Sequence, residues 1–154
     1  MKGTHMGARV GVWLMPRLAV LPLPLLRALG WLLGQVLYVL AVPRRRIALR
    51  NFQLCFPEAS AAQHRAWVRE TFVYFCQAFL DRSWLWSAPE EVVRARVKLE
   101  GSVHELDGTA PTILFAPHFY GMDAGGLALP LHTQRPFTSI FSTHPNPVLD
   151  AWFM

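Results

Sequence analysis

A histidine and an aspartate five residues apart form the pair of side chains in this sequence best suited to catalysis. His118 and Asp123 lie in the stretch LFAPHFYGMDAGG, in which an apolar run ends at Pro117 and a glycine-containing segment follows. A carboxylate that holds an imidazole in one tautomer raises the basicity of its other nitrogen, which then takes a proton from a hydroxyl group. The pattern therefore indicates general-base activation of an alcohol nucleophile.

The spacing alone is a weak signal, because a histidine followed by an acid is common in unrelated sequences. In the alternative interpretation, Asp123 caps a helix and His118 only makes a structural hydrogen bond. Residues five apart on a straight helix point about 140° away from each other. The two side chains meet only if His118 lies in a loop and Asp123 in the first turn of the next helix, with Gly121 allowing a tight turn between them.

The segments around the pair predict an α/β fold with a mostly parallel sheet and helix crossovers. VKLEG, TILFA and FTSIFS have the composition of strands, and TILFA is apolar on both faces, as in a central parallel strand. GMDAGGLALPL and NPVLDAWFM have the pattern of helices. Reactive groups collect at the carboxyl ends of strands in such sheets, and His118 would lie there.

The clearest helix is predicted within FPEASAAQHRAWVRETFVYFCQAFLDRSWLW. Ser60 and Gln63 form a capping box after Pro57. Apolar residues at helical spacing predict one buried face, made of Val68, Phe72, Phe75 and Phe79. Ser87 and Glu90 indicate the start of a shorter helix in SAPEEVVRARV.

The N-terminal region has the composition of a membrane anchor. Residues 10–42 are strongly apolar, and Leu18–Val42 is long enough to cross a bilayer if Arg27 reaches the interface or faces protein. A hydrophobic hairpin or helix lying in the interface and a buried core helix of a soluble protein are the alternatives. If the segment spans, the arginines of PRRRIALRN place the rest of the chain in the cytoplasm.

The composition restricts the classes of binding partner that the chain can have. The 154 residues are 53% hydrophobic and 16% charged, with a net charge of +5, which fits nucleic acid, an anionic membrane surface or a phosphorylated substrate. Because the arginine cluster directly follows the most apolar segment, lipid headgroups are favoured over nucleic acid. Cys55 and Cys76 have no metal-like spacing and are predicted to be reduced, buried core residues.

Three regions are predicted. Residues 1–9, which open with MKGTHM, are interpreted as a cloning remnant and flexible start. Residues 10–43 form the membrane anchor or interfacial helix, and residues 44–154 carry the helical section and the sheet.

The block from His118 to Asp123 resembles the H-x-x-x-x-[D/E] motif of the lysophospholipid acyltransferase superfamily. The resemblance is greatest to the late acyltransferases of bacterial lipid A biosynthesis, the lauroyl and myristoyl transferases. RRRIALRNFQLCFPEASAAQHRAWVRETF is similar to their N-terminal signature, and VKLEG and STHPNPVLDAWF are similar to the segments on either side of the catalytic block. Compared with that family, the chain stops at DAWFM, near the midpoint, so the sheet is expected to be incomplete at its C-terminal end.

The resemblance implies an enzyme of the bacterial inner membrane with its catalytic part on the cytoplasmic side. It would move a fatty acyl chain from an acyl carrier protein thioester, or from acyl-CoA, to a hydroxyl of a lipid A precursor. In such enzymes the histidine is the base and the acid orients it, which assigns these roles to His118 and Asp123. The resemblance implies no cofactor, no metal and no nucleic-acid partner.

Other residues are assigned to substrate or membrane contact by the same resemblance. Arg46, Arg50 and Asn51 match the basic signature and are expected to contact membrane phosphates or to support the fold. Phe119, Tyr120 and Gly121 lie inside the motif and are expected to shape the acyl channel, with ordinary packing as the alternative for the two aromatic rings. Two other functions stay open: a glycerolipid or ornithine-lipid acyltransferase, and a non-catalytic membrane-bound interaction module.

Overall fold

The computed structural model describes residues 5–117, 119–133, 135–140 and 142–153, and within these residues the chain forms seven α-helices. Their bounds are α1 Met6–Leu18, α2 Leu23–Leu40, α3 Val42–Cys55, α4 Ala61–Leu85, α5 Glu90–Arg96, α6 Met122–Thr133 and α7 Pro147–Phe153, with a 3₁₀ helix at Ser102–Leu106. The chain divides into two compact units. Unit 1 comprises residues 1–20 and 82–154, and unit 2 comprises Leu21–Asp81.

The prediction of a mostly parallel α/β sheet is wrong. The described residues contain no strand, and VKLEG, TILFA and the described part of FTSIFS have no ladder partner. A strand needs a neighbour for its backbone donors and acceptors, and an apolar strand needs cover on its faces. TILFA and the described part of FTSIFS have neither, since Ile113 is 98% exposed, Phe115 87% and Ile140 99%.

In unit 2, α2 packs closely along α4. A Cβ atom on Gly34 would lie 2.5 Å from the Cα of Val73, and one on Gly30 would lie 2.9 Å from the Cα of Gln77. Only glycine permits two helix backbones to approach so closely. Further toward the start of α2, Arg27 forms an ion pair with Asp81 at 2.7 Å.

Other contacts in unit 2 also show that α2 and α4 pack antiparallel. The side-chain amide of Gln77 donates to the Arg27 carbonyl at 3.1 Å. Near the end of α2 the Tyr38 and Phe72 rings meet edge to face, with centroids 5.9 Å apart. The two helices therefore stay in contact for about three turns.

The α3 helix packs on the N-terminal part of α4 through aromatic rings. Trp67 lies 5.7 Å from Phe52 and 5.4 Å from Phe56, measured between ring centroids. A cavity of about 250 Å³ opens beside this cluster. Its lining consists of Phe52, Phe56, Trp67, Glu70, Thr71 and Tyr74.

The capping box predicted for α4 is confirmed. The Ser60 N–H donates to Gln63 Oε1 at 2.8 Å, and the Gln63 N–H donates to Ser60 Oγ at 3.2 Å. The predicted buried face is only partly right, because Val68 is buried while Phe75 and Phe79 are about half exposed. These two rings lie on the side of α4 away from α2, about 200° and 240° around the helix from Val73.

The structure also corrects two smaller predictions, on the start of the short helix and on the burial of the cysteines. The short helix after α4 exists as α5, but Pro89 occupies its N-cap position and no side chain caps it. Both cysteines are free, as predicted, yet Cys55 is exposed and only Cys76 is buried. Burial raises the pKa of the Cys76 thiol, so this thiol is a weak nucleophile.

Unit 1 contains the C-terminal helices and α1. The α1 helix contacts α7, and α5 contacts α6. Arg135 donates to the carbonyls of Leu106 at 2.8 Å and Ala110 at 2.6 Å, which ties the segment after α6 to the loop before it. Trp84, Val93 and Ala128 are buried in this unit.

One described helix, α2, is long and apolar enough to cross a membrane by length and composition. It has 18 residues, and only 17% of them are buried. The N-terminal apolar region is thus divided by a break after α1, and its most hydrophobic part is α2 rather than one continuous helix over residues 18–42.

Candidate active site

Asp123 lies in the first turn of α6, as the sequence predicted. Gly121 precedes the helix with φ +87°, a backbone conformation that glycine adopts without strain. The Gly121 carbonyl accepts the first helical hydrogen bond, from the Gly125 N–H at 3.1 Å. A carboxylate in this position is favoured by the partial positive charge of the helix N-terminus.

The partner that the structure gives to Asp123 is Arg82, which the sequence analysis did not single out. Arg82 Nε donates to Asp123 Oδ2 at 2.7 Å, and both side chains are about 30% exposed. Arg82 lies in the last turn of α4, which belongs to unit 1, so this contact joins the end of α4 to α6 within unit 1. Since 41 residues separate the pair, no local signal in the sequence could have found it.

An aromatic ring also lies near the Arg82 guanidinium. Its guanidinium carbon lies 5.5 Å from the centroid of the Trp86 ring. Trp86 in turn meets Trp152 of α7 edge to face, with centroids 4.5 Å apart. The Arg82 guanidinium thus contacts Asp123 at the start of α6 and Trp86, and Trp86 in turn contacts α7.

The other half of the predicted pair, His118, lies outside the described residues. The hypothesis that His118 and Asp123 act together therefore stays a prediction. Asp123 Oδ2 is bonded to Arg82, and a carboxylate has a second oxygen that can accept from an imidazole N–H. The Arg82 contact is therefore compatible with the predicted contact to His118.

The remaining predicted site residues fall into two groups. Phe119, Tyr120 and Gly121 directly precede α6; Phe119 is largely exposed and Tyr120 about half exposed. Desolvation of the phenol raises the pKa of Tyr120, which therefore stays protonated at neutral pH.

The second group is Arg46, Arg50 and Asn51, which are exposed on α3. They belong to unit 2, whereas Asp123 belongs to unit 1. Their predicted roles in phosphate contact or in support of the fold stay untested.

Within the described ranges, no three His, Cys, Asp or Glu side chains cluster in a way that could hold a metal ion. The Asp123 carboxylate lies at a helix N-terminus and is held there by Arg82. A carboxylate held in this way is suited to orient a catalytic base.

Comparison with known proteins gives the family. A lauroyltransferase of lipid A biosynthesis from Escherichia coli K12 is 26% identical over 144 residues, which is 92% of this chain and 46% of that protein. A lipid A biosynthesis myristoyltransferase from the same organism is 31% identical over 153 residues, 95% of this chain and 46% of that protein. A lipid A biosynthesis acyltransferase from Haemophilus influenzae is 27% identical over 147 residues, 92% and 46% of the two chains.

The chain spans about half the length of these curated relatives. No solved structure matches it significantly. The sequence profile of the family described as Bacterial lipid A biosynthesis acyltransferase matches residues 4–154, which includes His118 and Asp123. The resemblance read from the motifs is therefore confirmed, and the chain belongs to the bacterial lipid A biosynthesis acyltransferase family.

Proposed function

We propose that the protein transfers a fatty acyl chain from an acyl carrier protein thioester to a hydroxyl of a lipid A precursor, at the cytoplasmic side of the bacterial inner membrane. The observation that carries the proposal is the family match over residues 4–154, in which His118 and Asp123 stand at the spacing of the H-x-x-x-x-[D/E] motif. The Asp123 carboxylate at the start of α6 supports it, because this group is held by Arg82 at 2.7 Å.

In the proposed reaction His118 takes the proton of the acceptor hydroxyl as that oxygen attacks the thioester carbonyl carbon. A carbon–oxygen bond forms and the carbon–sulfur bond breaks. The imidazolium then returns its proton to the leaving thiolate. Asp123 holds the imidazole in one tautomer and stabilises the imidazolium between these steps.

The proposal is tested by measuring acyl transfer in membranes prepared from cells that express the complete coding region containing this chain. The donors are a labelled acyl carrier protein and acyl-CoA, and the acceptors are a lipid A precursor, a lysophospholipid and an ornithine lipid. We expect label on the lipid A precursor, with the acyl carrier protein as the better donor. Label on a glycerolipid or ornithine lipid alone would assign another acceptor, and no transfer to any acceptor would favour a non-catalytic module.

Arg82 is proposed as a positioning residue that acts through Asp123. Arg82→Met removes the donor to Asp123 Oδ2 but keeps an unbranched side chain beside Trp86. We expect acyl transfer to fall by about 10-fold to 100-fold, because small displacements of a catalytic group are costly. The loss should be measured as kcat/KM across a range of pH.

The pH profile separates positioning from simple loss of structure. In the proposed arrangement His118 contacts Asp123, and the Arg82 guanidinium on the same carboxylate disfavours the protonated imidazole. Without Arg82, the acid limb of the pH profile should therefore move to higher pH. Arg82→Lys keeps the charge and should keep that limb near its original place. Arg94→Met is the matched control, since Arg94 only approaches Glu90 on the surface of α5 at 4.0 Å. An unchanged rate in Arg82→Met would remove Arg82 from the site.

A further inference from the structure

One face of α2 is aliphatic and exposed, and it lies opposite the face that packs on α4. Gly30 and Gly34 face α4, and a residue two positions further along a helix lies about 200° around its axis. Leu32 and Val36 occupy these positions and are 53% and 45% exposed. The same outer face continues through Leu25 and Val39, which are also exposed.

This outer face has the chemistry of a lipid contact. It carries aliphatic side chains over the whole length of α2 and no charged group. A contiguous apolar surface of this kind is rarely left to water and indicates an interaction site. Trp31, also exposed on α2, is of the residue type enriched at the level of lipid headgroups.

The contacts of α2 decide how it meets a membrane. Between Arg27 and its last residue, Leu40, α2 spans about 20 Å, less than the roughly 30 Å of a hydrocarbon core. A perpendicular α2 would also carry the adjacent part of α4 into the bilayer. That part includes Asp81, paired with Arg27, and Arg69, which donates to Gln35 of α2.

Arg69 and Asp81 are only about 18 Å apart along α4, so a perpendicular orientation would place both charges in the hydrocarbon core, which is costly. Glu70, which neighbours Arg69, is exposed as well. If α2 instead lies parallel to the surface, its outer face enters the lipid, and α4 with all these charges stays on the water side. In this orientation the apolar face of α2 contacts lipid and the charged side chains of α4 stay hydrated.

Basic side chains lie on α3, directly beyond the end of α2. The α3 helix contacts α2, and Arg45 donates to the Tyr38 carbonyl at 2.7 Å, which fixes the corner between the two helices. Arg44, Arg46 and Arg50 are exposed just beyond that corner. Arginines near a bilayer surface are attracted by anionic headgroups.

We infer that unit 2 binds an anionic lipid surface with α2 in the membrane plane, inserted into a single leaflet and not crossing it. The α2 outer face contacts acyl chains, the exposed arginines of α3 contact lipid phosphates, and α4 covers α2 from the aqueous side. The inference rests on the proposed membrane location but not on the proposed acyl transfer.

Vesicle flotation tests the binding face. Leu32→Glu places a charge on the outer face and should weaken binding to vesicles of phosphatidylethanolamine and phosphatidylglycerol by about 10-fold or more. Phe75→Glu is the matched control, because Phe75 is 50% exposed and lies on the side of α4 away from α2. It should bind like the unchanged protein. Phosphatidylcholine vesicles should bind more weakly in every case, since they lack a net negative charge.

Cysteine labelling tests the orientation without a variant on the binding face. In a Cys55→Ser background, Leu21→Cys and Ala41→Cys mark the two ends of α2, while Cys76 stays buried. With a membrane-impermeant maleimide in sealed vesicles, both positions should react from the same side. Labelling from opposite sides would show a span and overturn the inference.

The two experiments also separate this inference from the proposed reaction, since neither measures acyl transfer. Circular dichroism confirms that each variant is folded before it is compared. Equal flotation of Leu32→Glu and the unchanged protein would overturn the binding face. Loss of flotation in Phe75→Glu to the same extent as in Leu32→Glu would overturn it too.

Discussion

Replacing His118 with alanine is expected to lower acyl transfer by about 10²-fold to 10⁴-fold, which is the usual contribution of a general base. The acceptor hydroxyl is a poor nucleophile until its proton is removed. Histidine is the usual general base near neutral pH, and the motif HFYGMD contains one. The measurement is kcat/KM with labelled acyl carrier protein and a lipid A precursor. His132→Ala is the matched control, because His132 lies on the same helix as Asp123 and its ring only bonds the Ala128 carbonyl at 2.9 Å.

The double variant shows whether Asp123 acts through His118. Asp123→Asn alone should lower the rate because an amide no longer holds the imidazolium by charge. Groups that act as one unit are not additive, so His118→Ala with Asp123→Asn should be little slower than His118→Ala alone. Multiplication of the two separate losses would mean that Asp123 supports the fold of α6 rather than the base. A rate unchanged by His118→Ala would refute the proposed mechanism itself.

The local features of this chain were predictable from sequence because local signals determine them. The Ser60–Gln63 capping box sets the start of α4, and the glycine at 121 with the pattern after it sets the start of α6. The position of Asp123 in the first turn of α6 followed from these signals. The sheet did not, because an apolar run such as TILFA becomes a strand only when other segments pair with it.

Contacts between distant residues were the other part that the sequence did not reveal. Arg82 reaches Asp123 from the end of α4, and nothing in the residues around Arg82 distinguishes it from other arginines on helices. Gly30 and Gly34 are likewise ordinary in an apolar segment until α4 is placed against them. Their spacing of four residues allows close helix packing, but it does not name the partner helix.

Gly34→Leu is expected to destabilise unit 2 by about 2 to 3 kcal/mol, the usual cost of forcing extra volume into a packed contact. A Cβ atom at residue 34 would lie 2.5 Å from the Cα and 2.8 Å from the N of Val73. These are backbone atoms, which cannot rotate away as a side chain does. The helices must separate, which weakens the nearby contact between Tyr38 and Phe72. Denaturant unfolding in mild detergent, followed by circular dichroism, measures the change.

Gly11→Leu is the control that isolates the packing effect. Gly11 is also a helical glycine, in α1, and no atom lies within 4 Å of the position that its Cβ would take. Leucine is a better helix former than glycine by about 0.8 kcal/mol, so this variant should be as stable as the unchanged protein or more so. If Gly34→Leu were equally well tolerated, α2 and α4 would not be in backbone contact. The charges of α4 would then place no restriction on the orientation of α2 in a membrane.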